Sequence, residues 1–159
     1  MEKPKPVKPP AVEPVVPVAL PKPPTPPITP PDKPTPVKSK YLWDTPAHTR
    51  HSVRVICDEH DLSWEDKNLI CAVVQAESGF NIKARNQNKR DGKVLSTDWG
   101  VAQINDFYHI GKGKSFTSVE EVLSRPELSI HFMIRQFKAG RLNWWIAYKN
   151  KSYLKYLDK

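Results

Sequence analysis

The chain has 159 residues, and 15 of its 17 prolines lie in residues 1–40, whereas all six glycines and all five tryptophans follow residue 40. Only the remaining stretch can build a core, and its length suits one modest domain, which excludes a barrel or a doubly wound sheet. The formal charge of +8 is shared between both pieces and favours anionic partners without choosing among them.

Residues 1–40 repeat Lys-Pro, Pro-Pro and Pro-Thr-Pro units. Proline fixes φ and lacks an N–H, so this segment is read as a disordered polyproline II linker or stalk, reaching on the order of 120 Å if fully extended. A ligand for domains that read P-x-x-P is the sharper alternative. The apolar run Ala11–Leu20 is cut by Pro14 and Pro17 and fails as a signal-peptide core, and no stretch reaches the length of a membrane helix. Export by another route, or a chain beginning downstream of a removed signal or anchor, is the expectation.

Residues 41–159 form the second piece, with helical periodicity at once. Thr45-Pro46 reads as a cap and first helical position, and Val53, Ile56, Cys57 and His60 recur at helical spacing, giving a helix over about 46–60. Ser63-Trp64-Glu65-Asp66 opens a second helix whose inner stripe is Leu69, Ile70, Val73 and Ala76, with Gly79 as its stop. Asn81–Asn105 is polar and carries a turn signal at Arg90-Asp91-Gly92-Lys93, which predicts a small antiparallel hairpin or three-stranded sheet. Thr117 and Ser118, with Glu120 and Glu121 three residues on, cap a short helix near 119–124, and Pro126 opens another with Ile130, Met133, Ile134 and Phe137 inside and Gly140 as the stop. Asn143 is read as the cap of a last helix through Trp144, Trp145 and Tyr148. Helices, a small sheet and helices again make an α+β domain that is mostly helical.

Two carboxylates stand out. Glu77 lies in the last turn of the second helix beside its apolar stripe, where the negative end of the helix dipole and partial desolvation both disfavour ionisation. A carboxylic acid still protonated near neutral pH can protonate a leaving-group oxygen; a solvated glutamate near a helix end is the plainer reading of position alone. Asp98 follows in the hairpin beside Trp99-Gly100, in polar surroundings that should keep it ionised. A helix-borne acid facing a sheet-borne carboxylate is the arrangement glycosidic cleavage needs.

Glu77-Ser78-Gly79-Phe80-Asn81, Asn86-Gln87-Asn88, Asp91-Gly92 and Ser96-Thr97-Asp98-Trp99-Gly100-Val101-Ala102-Gln103-Ile104-Asn105 together resemble the lysozyme superfamily. The c-type pattern runs E-S-x-F-N, N-x-N, D-G and S-T-D-Y-G-I-x-Q-I-N in the same order, and the bacterial lytic transglycosylase (SLT) pattern, E-S-x-F then G-L-M-Q-I-N, is similar. The resemblance implies a lysozyme-like fold and a peptidoglycan-cleaving glycosidase that uses no metal and no organic cofactor. It implies Glu77 as general acid and Asp98 as the carboxylate that is nucleophile or stabiliser, with Asn88, Gln103 and Asn105 binding sugar. Trp99, beside Asp98, is assigned to the cleft, and Tyr148 joins the substrate-binding set because Ala147-Tyr148-Lys149-Asn150 resembles the transglycosylases' A-Y-N stretch.

The hairpin is longer than in c-type lysozymes, and the c-type disulfide set is absent because the chain holds only Cys57 and Cys71. Those departures point to a bacterial or phage SLT-like enzyme. They leave hydrolysis and 1,6-anhydro formation open: Asp98 argues for hydrolysis, yet some secretion-associated transglycosylases carry Asp at that place. The expected partner is the peptidoglycan glycan strand, with wall or envelope proteins on the proline-rich tail, as an extracytoplasmic or phage-associated monomer. No nucleic-acid-binding signature accompanies the basic charge. The rival reading is a non-catalytic wall-binding or adaptor module that recruits partners through its tail.

Three further signals are weighed. Gly111-Lys112-Gly113-Lys114-Ser115 fails the phosphate-loop spacing, which needs glycine where Tyr108 stands, and is read as a basic rim near the cleft. Cys57, His60 and Cys71 lack a fourth ligand and zinc spacing. Cys57 and Cys71, on adjacent helices, are either a disulfide or two buried thiols. Of Trp144 and Trp145, at least one is assigned to the core.

Overall fold

The computed structural model describes residues 40–158, so the proline-rich segment and its expected conformation lie outside the described residues. Helix α1 spans Pro46–Glu59, and the Thr45 hydroxyl accepts from the His48 N–H at 3.1 Å, as the Thr-Pro pair predicts. Helix α2 spans Trp64–Ser78, capped by Ser63 Oγ on the Asp66 N–H and closed by Gly79 in the left-handed region at φ 62°. Strands β1 (Arg85–Arg90), β2 (Lys93–Trp99) and β3 (Ile104–Asn105) form an antiparallel sheet in that order. Then follow α3 (Asp106–His109), α4 (Val119–Ser124), α5 (Pro126–Lys138), a 3-10 turn at Leu142–Trp144, α6 (Ile146–Lys149) and a second 3-10 turn at Ser152–Tyr156. The domain is mostly helical with one small sheet, as the sequence predicts.

Helix α2 is the axis of the core. Ile70, Cys71, Ala72, Val73 and Val74 are consecutive and all buried, a helix apolar on more than one side. The stripe predicted for it is therefore too narrow, and Leu69 and Ala76 are only partly buried. The reason is that α2 packs against α1 on one side and against α6 and the last 3-10 turn on another. Ile56 of α1 and Ile130, Met133 and Ile134 of α5 are fully buried in the same cluster.

The hairpin turn follows from two residues. Asp91 at φ 52° and Gly92 at φ 76° are both left-handed, as a two-residue turn matching the strand twist requires. The register pairs Asn86 with Asp98 and Asn88 with Ser96, then shifts to Lys89 with Val94, so Leu95 is the extra residue of a bulge. Gly100 closes the sheet against α4: a Cβ there would meet Val122 Cγ1 at 3.2 Å, and φ is 72°.

Two elements depart from the sequence reading. The one-turn α3 was not foreseen; Asn105 caps it, its side-chain oxygen accepting from the Tyr108 N–H at 3.3 Å. The predicted last helix is instead broken into a 3-10 turn, α6 and a second 3-10 turn, and Asn143 caps nothing. Trp145 takes an extended backbone (φ −86°, ψ 130°) to bury its ring, and its Nε1–H donates to the Ala102 carbonyl at 2.6 Å. Lys151, left-handed at φ 62°, breaks the run again.

Candidate active site

A cleft of about 630 Å³ lies between the end of α2, the sheet, α3 and the segment before α6. It brings together Glu77, Asn88, Asp98, Gln103 and Asn105, five of the seven residues singled out from sequence.

Glu77 is half-buried, and its Oε1 accepts from the Ala147 backbone N–H at 2.7 Å. Burial pushes its carboxyl above the ordinary glutamate range; the Ala147 N–H pulls the other way, and the charge of Asp98 adds to the push. An N–H cannot accept a proton, so when Glu77 is protonated, with Oε1 occupied, the hydrogen belongs on Oε2.

Asp98 is held differently. Strand side chains alternate, so the Asn86–Asp98 and Asn88–Ser96 pairings set Asn86, Asn88, Ser96 and Asp98 on one face of the sheet, toward the cleft. Asp98 Oδ2 accepts from Asn88 Nδ2 at 2.9 Å, and Oδ1 from Asn105 Nδ2 at 2.7 Å. Both amides also donate to Ser96 Oγ, at 3.1 and 3.0 Å. Two neutral donors thus orient the carboxylate, and no described cation pairs with it. Gln103 is buried in the turn before β3 at φ 50°, with Nε2 donating to the Gly100 carbonyl at 2.9 Å.

Trp99 and Tyr148 do not line the cleft, which corrects the reading that placed both there. Adjacent positions on a strand face opposite sides, so being next to Asp98 turns Trp99 away. Its Nε1–H donates to Asp106 Oδ2 at 3.3 Å, and the Arg85 guanidinium lies over its ring at 5.1 Å. Tyr148 stacks on Tyr153 with centroids 5.3 Å apart. The residue of that stretch which touches the site is Ala147, through its main chain.

Sequence reasoning missed Tyr108 and His109, which with Trp144 and Ile146 make an aromatic wall of the cleft. Trp145 is 5% exposed and core, whereas Trp144 is 49% exposed and stacks on His109 at 5.5 Å and 22°. Cys57 and Cys71 are free, buried thiols away from this cleft.

The chain is similar to known proteins. Protein IpgF of Shigella flexneri is 38% identical over 65 residues, covering 41% of this chain and 40% of that protein. Lysozyme C of Trichosurus vulpecula is 33% identical over 100 residues, covering 58% of this chain and 65% of that lysozyme. The chain thus spans about two fifths of the Shigella protein's length. The family model of the transglycosylase SLT domain matches residues 60–148, from the end of α1 through the helix bearing Glu77 and the hairpin bearing Asp98 to α6. Because that match runs over more than half of the residues, this chain belongs to the transglycosylase SLT domain family.

Proposed function

We propose that the chain cleaves the β-1,4 bond between N-acetylmuramic acid and N-acetylglucosamine in peptidoglycan, with Glu77 as general acid and then base. The observation that carries this reading is the half-buried Glu77 carboxyl, with Oε1 taken by the Ala147 N–H and Oε2 left to hold a proton beside the cleft. Glu77 Oε2 gives that proton to the glycosidic oxygen as the C1–O bond breaks. The leaving sugar departs as an alcohol, and positive charge develops at C1 and the ring oxygen. Asp98, fixed by Asn88 and Asn105, stabilises that charge from the sheet side. The ionised Glu77 then takes a proton from the nucleophile that closes the reaction, either water or the same sugar's 6-hydroxyl.

Asn88 and Asn105 serve mainly to hold Asp98, and Gln103 shapes the turn beneath it. The substrate places the activity outside the cytoplasm, and residues 1–40 serve as a spacer between the catalytic domain, residues 41–159, and its attachment. Mass spectrometry of muropeptides released from purified walls tests the reading: 1,6-anhydro ends mean transglycosylation, reducing ends mean hydrolysis, and no released fragment refutes both.

A further inference from the structure

The cleft carries its charges unevenly. Glu77 and Asp98 lie toward its α2 and sheet sides, whereas the wall formed by Tyr108, His109, Trp144 and Ile146 has no permanently charged side chain. Immediately beyond that wall stand two cations. The Arg141 guanidinium lies over the Trp144 ring at 5.2 Å, and the Lys114 ammonium lies over the Phe107 ring at 5.7 Å, next along α3 from Tyr108. Lys114 is also close enough to bear on His109, whose imidazole is depressed by burial first and by that ammonium second. Both cations are exposed.

Among the described residues, neither cation meets an acidic side chain. Among the described residues, the ion pairs engage Lys40, His48, Arg50, Arg54, Lys67, Arg90 and Arg125, but not Lys114 or Arg141. Arg141 commits only Nε, to Gln136 Oε1 at 2.7 Å, so the terminal nitrogens of its fork are available to a planar carboxylate. Lys114 donates to the Phe107 carbonyl, which sets its ammonium at the rim. The stretch Gly111–Ser115, read from sequence as a basic rim, thereby acquires a use.

We propose that Arg141 and Lys114 bind the carboxylates of the peptide stems that branch from the glycan, so that the preferred ligand is the peptide-bearing strand and not bare glycan. This rests on the peptidoglycan reading above. Stems branch from the glycan and must leave the cleft over a rim. An aromatic wall backed by two cations that pair with no acid among the described residues gives a stem an apolar surface to cross and a charge to end on.

Binding, not turnover, supplies the test, so that it stands apart from the question of catalysis. The Glu77→Gln protein, which should not consume its ligand, is titrated with soluble uncrosslinked strands, either bearing stems or stripped of them by an amidase. Adding Arg141→Gln and Lys114→Gln together should weaken binding of stem-bearing strands about tenfold, the sum of two exposed charge contacts. The same pair should leave stripped strands within about twofold, and the difference should vanish in about 0.5 M salt, where exposed charges are screened. Arg141→Lys with Lys114→Arg should restore most of the affinity. Equal weakening on both strands would mean that the cations meet the glycan, greater weakening on stripped strands would mean that they meet the lactyl carboxylate the amidase frees, and no weakening would mean that they meet neither; each overturns the proposal. Failure of the unaltered chain to cleave would count against the catalytic reading alone.

Discussion

Glu77→Gln separates the chemistry of this site from its architecture. Glutamine keeps the length and planarity of the side chain, so its carbonyl oxygen still accepts the Ala147 N–H, while an amide nitrogen takes the place of Oε2. What disappears is the transferable proton. A positioned general acid contributes about 10²–10⁴-fold, or roughly 3–5 kcal/mol of transition-state stabilisation, and a loss of that size is expected in clearing of purified wall suspensions. Stability should move the other way. The folded-state pKa of Glu77 is raised, so the native protein binds more protons here than the unfolded chain, and this group costs stability as pH rises through the glutamate range and above. The amide removes that cost, so at pH 7–8 the variant should melt at or above the wild-type temperature. Activity within a few-fold of wild type would remove Glu77 from the mechanism. A clear drop in melting temperature would show that the carboxylate is better accommodated than its burial implies.

Asp98→Asn keeps one of the two oxygen-to-amide contacts and removes the charge, so activity should fall about a hundredfold or more with little change in substrate affinity, read as kcat against KM. A near-wild-type rate would leave Asp98 without a part in the reaction. His60 Nε2 and His131 Nδ1 are 2.8 Å apart, and burial lowers both pKa values, with His60 lowered further by His131. The unfolded chain therefore binds more protons as pH falls below the ordinary histidine range, and the melting temperature should fall between pH 7.5 and 5.5; His131→Gln should flatten that slope. Burial pushes both cysteine thiols up, Cys57 strongly, so a thiol reagent should react slowly with the native protein and should label two thiols promptly after unfolding.

Local signals made much of the frame legible. Thr45-Pro46, Ser63, Gly79, Asp91-Gly92 and Ser118 each act through the few residues around them, and each terminates or turns its element as its chemistry demands. Glu77 and Asp98 stood out because linked motifs preserve their order, and the cleft indeed lies between their elements. What stayed hidden depends on contacts between distant segments. The Ala147 donor is a backbone group 70 residues from Glu77, invisible in residue type. The break before α6 follows from Trp145 reaching Ala102, 43 residues away, a contact that overrides a plausible helical run. The Trp99 assignment fails for a different reason: neighbours on a strand face opposite sides, so nearness to Asp98 in sequence is not a shared face.

The amide hydrogen on Glu77 comes from the polypeptide itself, so alanine scanning cannot find it: position 147 is already alanine, and every replacement except proline supplies the same donor. Tuning the acid by engineering therefore means shifting the path of the chain around α6, for instance through the anchoring indole of Trp145, and leaving the identity of residue 147 alone.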